Sequence, residues 1–447
     1  MTSHTTLAPA GLHRGKRWTN WGRVESITPV FVARPTTVDE VVAAVIAARE
    51  RGLAIKAIGA SHSFTAIAAA PGVMLDLAGL EGLISADHST GRVRLAAGTN
   101  LHQLPAILGP LGLALQNMGD IDRQTIAGAT STGTHGTGAA FGGLATQVVG
   151  LTLVTADGSI LTIDEETNPE LLPAARLGLG ALGIIVDITL QCVASFVLDA
   201  REKPEPFDAV VDNFEARATA VDHFEFYWFP HTTTVLTKTN IRLPAEAQTR
   251  PLGGVRRWVD DSLMTNGLFA VTCTAGRAIP SAIPSINRIA TRLTGDREFS
   301  DASPQVFVSQ RSVRFREMEY AIPREAVPVA LREIRDLIAA KRWRISFPIE
   351  VRVAAADDNW LSTAFERESG YIAIHRYFRE DHREYFRAVE AIMRAHCGRP
   401  HWGKIHFREA SSLREEYPRF DDFLAVRDRL DPDRAFANPY LDRVLGP

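Results

Sequence analysis

The sequence predicts an α+β protein built as two domains, and three observations lead there. Short extended runs and helical stretches alternate over residues 1–195. A Gly-, Thr- and Ala-rich tract, residues 113–143, interrupts the alternation with few large side chains, too few to build a core of its own. Beyond residue 195 aromatics, prolines and charges increase, as in PEPFD, HFEFYWFPH and FREMEYAIPRE, which marks a second unit.

The bulk properties narrow the class. With 447 residues, 45% of them hydrophobic, the chain can bury a large core divided between two domains. Its 49 basic and 52 acidic residues leave a net charge of −3, and the cations are scattered. No stripe follows a phosphate backbone, so a nucleic-acid partner is excluded. The three cysteines, Cys192, Cys273 and Cys397, stand far apart without CxxC pairing. That spacing argues against a disulfide framework and a structural zinc site, and no metal is expected. The opening MTSHTTLAPAGLHRGKRW lacks the apolar core of a secretory leader. No stretch approaches the roughly 20 apolar residues that span a bilayer, so no transmembrane segment and a cytoplasmic location are expected.

The elements follow in order. Phe31-Val32-Ala33 is an extended run ending near Pro35. Thr37 and Glu40 have the spacing of a capping box for a helix that carries Val38, Val41, Val42 and Ile46 on one face and ends at Gly52. AIKAIG is a strand that runs into the loop ASHSFT. Val73–Leu77 and the alternating RVRLAAG are further strands, and leucines at 101, 104, 108 and 111 predict a helix over 100–112. After the small-residue tract, Val148–Thr155 and Ile160–Ile163 read as a strand pair joined by Ala156-Asp157-Gly158-Ser159. LGLGALGIIVDITLQCV is a glycine-interrupted loop entering a buried strand. In the second unit, Pro323–Lys341 and EYFRAVEAIMRAH are helices, and FPIEVRVAA and YIAIHRY are strands. FDDFLAVRDRL is a helix, followed by a loop at Asp431-Pro432 and a tail.

Several motifs could carry chemistry. No GxGxxG follows the first strand, and the chain has no Walker loop, HExxH pair or GxSxG elbow. Nicotinamide-dinucleotide, nucleotidase, zinc-protease and serine-hydrolase readings are weakened accordingly. Ile58-Gly59-Ala60-Ser61-His62-Ser63 is a turn of small residues at a strand end, able to present several N–H groups to a pyrophosphate around one imidazole. Taken alone, His62 is more often a loop histidine than a functional one. Thr132-Gly133-Thr134-His135-Gly136 is a second small-residue run with a central histidine, and by itself it is ambiguous with a linker. In FPIEVRVA, strand alternation places Glu350 and Arg352 on one face and Ile349, Val351 and Val353 on the other. An acid beside a guanidinium can orient a polyol, although an exposed ion pair has the same pattern. Lys404, in RPHWGK, sits among aromatics, and His375 and Tyr377 share a strand face that could line a pocket.

Together these segments resemble the vanillyl-alcohol-oxidase type of flavoprotein, and within it the sugar-1,4-lactone oxidases, with alditol oxidases as near cousins. ARPTTVDEV, GASHSF, LALQNMGDIDRQTIAGATSTGTHGTG, LGALGII, IEVRVA, HWGK and LDPDRAFANPY stand in the family's order over most of the chain. The resemblance implies an FAD-binding domain of the PCMH type at 1–195. It implies a substrate-binding domain at 196–415 with a large antiparallel sheet flanked by helices, and a segment at 416–447 that returns to the FAD domain.

It also implies residue roles. His62 matches the histidine bonded covalently to FAD through the flavin 8α-methyl group. Ala57, Ile58, Gly59, Ala60, Ser61 and Ser63 would wrap the pyrophosphate. Gly119, Asp120, Thr125, Gly128, Thr132, Gly133, Thr134, His135, Ile184, Ile185 and His401 would complete the cofactor site. Glu350, Arg352 and Lys404 match the catalytic positions. Asp120, His375 and Tyr377 join them toward a substrate that would be a sugar lactone or polyol. The implied reaction passes hydride from a carbinol C–H to flavin N5. Gly119 leaves room for molecular oxygen, which favours an oxidase producing hydrogen peroxide over a dehydrogenase with a cytochrome or quinone acceptor. Two departures bear on the substrate: alditol oxidases carry serine at the position of Asp120 and threonine at that of Tyr377, so a lactone is favoured. The attachment loop reads GASHSF where GSGHSF is commoner, which puts Ser61 in place of a glycine.

Overall fold

The structure, a computed structural model, describes residues 11–253, 269–293, 295–309 and 313–447. The first ten residues, which open the segment read against a leader, lie outside them. The N-terminal half holds two small sheets. In the first, Phe31–Ala33, Val73–Asp76 and Ile55–Ile58 run parallel, with Leu12–Arg14 added antiparallel at the edge. Helix Val38–Arg49 makes the crossover. Thr37 caps it by accepting from the Glu40 N–H at 3.2 Å. The reciprocal arm reaches one residue further back than the capping-box spacing predicts, the Glu40 carboxylate accepting from the Thr36 N–H at 2.6 Å. The buried stripe is Val41, Ala44, Val45 and Ala48, whereas Ile46 faces solvent. Two of these four are alanines, which the valine pattern did not include.

The second sheet is antiparallel, in the order Ile160–Asp164, Val148–Val154, Ile184–Gln191, Arg92–Ala96, Leu83–Asp87. The expected 100–112 helix is instead a short α-helix, Leu104–Leu108, flanked by 3-10 turns. The small-residue tract, in which the sequence showed no element, contains a buried helix, Ile126–Thr132. Thr125 caps its start and Gly133, at φ +82°, ends it. Its Ala, Gly, Thr and Ser residues have no large apolar face, so helical periodicity could not reveal it.

The C-terminal half is built on an eight-stranded antiparallel sheet. The order is Arg297–Ala302, Phe196–Pro206, Thr234–Pro244, His223–Trp228, Ile349–Ala354, Ser369–Tyr377, Phe315–Pro323, Arg399–Pro400. One face is covered by helices Phe207–Asp212, Val327–Ala340 and Arg383–Ala395. Their Val210, Leu331, Ile334, Phe386 and Val389 pack on Phe224, Phe226, Val351, Val353, Ile372 and Ile374 of the strands. Because side chains alternate, Glu225, Glu317, Glu319, Glu350 and Arg352 project from the opposite face. That face turns toward the N-terminal half.

Beyond Asp431 the tail carries a helix, Pro439–Leu445. Just before it, the Asn438 side-chain amide donates to the carbonyls of Ala66, Ile67 and Ala69 at 2.9–3.1 Å. The Ile55 N–H donates to Ala435 O at 2.8 Å, so the chain end is fastened to the first sheet. Among the described residues, no helix is long and apolar enough to cross a membrane.

Candidate active site

Two cavities meet at His62, which lines both together with Ser63, Gln124 and Thr132. The first is walled by Ala57–Ser63, by Thr125 and Gly128 of the capped helix start, and by Ile184 and Ile185, with Lys56 and Leu77. Its cradle depends on backbone closeness: a Cβ on Gly59 would stand 2.2 Å from Thr125 Oγ1. Ser61 holds φ +60°, a left-handed conformation that favours glycine. Its hydroxyl accepts from Trp18 Nε1–H at 2.9 Å, which helps hold the turn. His62 stacks on Trp21, ring centroids 5.7 Å apart. Burial first, then the charges of Lys404 and Arg123, push the imidazole down to about 4, so the ring is neutral at neutral pH.

The second cavity is lined by the charged face of the large sheet and by the loops opposite. Arg352 is at its centre. Its guanidinium pairs with Glu225 at 2.9 Å, with Asp120 at 3.2 Å and with Glu350. The Tyr227 hydroxyl donates to Glu350 at 3.1 Å. Burial alone would lower the Arg352 pKa, but Glu350, Asp120 and Glu225 outweigh it and raise it well above the usual range. Lys404 pairs with Glu317, and there too the nearby carboxylates, Glu317 foremost, overcome burial and keep the ammonium charged. His135 Nε2 lies 3.3 Å from Glu319 Oε1.

The sequence-predicted residues therefore divide. Ala57 to Ser63, Thr125, Gly128, Ile184 and Ile185 stand in the first cavity, and Thr132 stands at the junction. Gly119, Asp120, Thr134, His135 and His401 line the second, beside Glu350, Arg352 and Lys404, rather than continuing the first. Gly133, His375 and Tyr377 line neither: Gly133 ends the helix, His375 stands behind Glu317 at 3.5 Å, and Tyr377 packs with Phe315 and Phe347. Sequence reasoning missed Lys56, Gln124, Trp21, Glu225, Tyr227, Glu317 and Glu319. For the two strands the signal was present, since HFEFYW and FREMEY alternate as IEVRVA does.

An elongated cofactor suits this arrangement, one end among backbone and aliphatic walls and the other beside the charged cluster. The fold and the paired cavities define the chain as an FAD-binding oxidoreductase of the vanillyl-alcohol-oxidase type. Residues 29–164 match the FAD binding domain and residues 188–444 match the D-arabinono-1,4-lactone oxidase family. The chain belongs to that family. It is 43% identical over 430 residues to the L-gulono-1,4-lactone dehydrogenase of Mycobacterium tuberculosis, covering 96% of this chain and 99% of that one. It is 34% identical over 440 residues to the L-gulonolactone oxidase of Bos taurus, covering 97% and 99%. Among solved structures, a His121Ala mutant of cholesterol oxidase from Brevibacterium sterolicum superposes over 100% of this chain and 99% of its own, with TM-score 0.83 at 18% identity, a likeness of fold alone.

Proposed function

We propose that this enzyme oxidises a sugar 1,4-lactone of the L-gulono or D-arabinono type at a carbinol carbon and passes the electrons to oxygen. The observation that carries it is the Arg352 cluster meeting the cofactor cavity at His62. When bound, FAD supplies the hydride acceptor. The chain's residues do the rest. Asp120 and Glu350 accept hydrogen bonds from substrate hydroxyls, and Arg352 and Lys404 stabilise negative charge that develops on the carbinol oxygen. The hydroxyl proton passes to the carboxylate cluster around Arg352. His62, held neutral with a lone pair available, is the proposed point of covalent attachment to FAD.

Gly119 is the residue on which oxygen as acceptor is argued: it lines the second cavity, and a Cβ there would stand 3.0 Å from the His135 carbonyl oxygen, so the position is held to glycine by close backbone. The mycobacterial relative, named a dehydrogenase, favours a second reading with another acceptor. One set of measurements tests these points. Anaerobic L-gulono-1,4-lactone should bleach the flavin, and air should restore its colour within seconds with release of hydrogen peroxide. No bleaching across aldonolactones, with bleaching by xylitol or sorbitol, would move the substrate to alditols. Slow return of colour in air would establish the dehydrogenase reading. Acid-precipitated protein should stay yellow, and a colourless pellet would remove the covalent link.

A further inference from the structure

The wall of the first cavity is poor in charge. Among the described residues that line it, Lys56 and His62 alone are ionisable, and His62 is neutral at neutral pH. No aspartate or glutamate joins them there. Lys56 belongs to strand Ile55–Ile58, which leads into the His62 turn, and it is 3% exposed. Its ammonium donates to the Gly180 carbonyl at 2.8 Å and to that of Leu179 at 3.4 Å. An ammonium has three N–H groups, so these two bonds leave one over. Among the described residues no carboxylate pairs with it. Asp431 attracts it from further off, while its own oxygens accept from the Ala435 and Phe436 N–H groups at 2.6 and 2.9 Å. The turn that supplies the two carbonyls is fixed beside the cavity. Leu179 holds φ +55° and Gly180 φ +62°, and a left-handed leucine persists only where its surroundings impose it. Here the Leu179 side chain is buried and its N–H donates to the Ser131 carbonyl at 3.1 Å.

We propose that Lys56 is a cofactor-binding residue, which gives its remaining N–H to a phosphate oxygen of FAD and holds the Leu179–Gly180 turn against that half of the cofactor. The diphosphate brings two negative charges into a wall that offers this cation and no acid. The small-residue turn at Gly59–Ser63 can present N–H dipoles to it, and Lys56 adds the net charge that dipoles lack. A purely structural tie between the strand and the turn would not call for a charge. Burying an ammonium against carbonyls alone is costly, and a neutral donor would make the same bonds without that cost. The cost is visible in the lysine itself: burial pushes its pKa down to about 7, and Asp431 offsets this only in part. An anion at the free N–H compensates the charge directly. Lys56 does not line the second cavity, so its part is in holding the cofactor and not the substrate.

The proposal rests on FAD occupying the first cavity; neither the aldonolactone substrate nor the covalent link enters it. Lys56→Met keeps the length and apolar stem of the side chain and removes the ammonium. In ³¹P spectra of the wild-type and Lys56→Met holoenzymes, at least one of the two FAD phosphorus resonances should move on substitution. Two unmoved resonances would overturn the proposal. FAD release is followed in a His62→Ala background, where no link can form through that residue, by the rise of flavin fluorescence after dilution. There Lys56→Met should release FAD about 10- to 100-fold faster, the loss expected of one hydrogen bond to a charged group. Lys56→Gln, a second neutral variant that keeps an N–H donor for the turn, should release it faster as well. Release from Lys56→Gln at the rate of the unsubstituted background would show that the tie to the turn suffices, and would overturn the role of the charge. A lower urea midpoint in Lys56→Met, with resonances and release both unchanged, would equally reduce Lys56 to a support of the fold.

Discussion

Arg352 shows how one residue can be legible while its role is not. Alternation in IEVRVA placed it beside Glu350, yet the structure gives it two further carboxylates, Glu225 and Asp120, from segments remote in sequence. A guanidinium presents five N–H donors in a fixed planar fork, whereas an ammonium offers three rotatable donors from a single point. Arg352→Lys should therefore keep the charge but lose part of the fork's hydrogen bonds to the cluster. We expect flavin reduction by an aldonolactone to fall about 10²-fold, with Arg352→Ala reaching about 10³-fold. Stopped-flow absorbance under anaerobic conditions measures both. A Lys variant reduced at the wild-type rate would show that charge alone, without the fork, suffices.

Elements differ in how plainly the sequence announces them. The Ile349–Ala354 strand was clear, since its apolar residues face the helices and its charged ones the cavity. What pattern cannot supply is the neighbour across the sheet. Tyr227 stands opposite Glu350, and Glu317 opposite His375, through pairings that only the assembled sheet creates. The Ile126–Thr132 helix was illegible for a different reason, because close packing against a cofactor cavity requires the small residues that erase helical periodicity. Its definition depends on its cap: Thr125 Oγ1 accepts from the Gly128 N–H at 3.3 Å and also crowds Gly59. Thr125→Ala should lower stability by about 1 kcal/mol, and Thr125→Ser should recover most of it. Urea unfolding of the holoenzymes tests this, and equal midpoints for the wild type and Thr125→Ala would deny the cap any stabilising role.

At the scale of the whole molecule, buried histidines link the two halves and set an acid limit on the fold. His223 Nδ1 donates to the Thr137 carbonyl at 2.7 Å, across the seam between the small-residue tract and the large sheet. Burial first of all pushes this ring down to about 4. His401 is pushed down to about 3 by burial, and His406, bonded to the Tyr440 hydroxyl of the C-terminal helix at 2.9 Å, well below its ordinary value. In the unfolded chain each titrates near 6.5. Between that pH and the folded values the unfolded state binds more protons, so unfolding becomes easier as pH falls through the window. Each pH unit in it costs about 1.4 kcal/mol per histidine, an upper bound when neighbours relax. Loss of stability should therefore begin at about pH 6.5, above the range where carboxylates such as Glu317, held at about 2, take up protons. Urea midpoints measured from pH 8 to pH 4.5 should stay level down to that point and then fall steeply. A midpoint unchanged down to pH 5 would mean that these rings accept protons in place, and that the seam they occupy is looser than its burial implies.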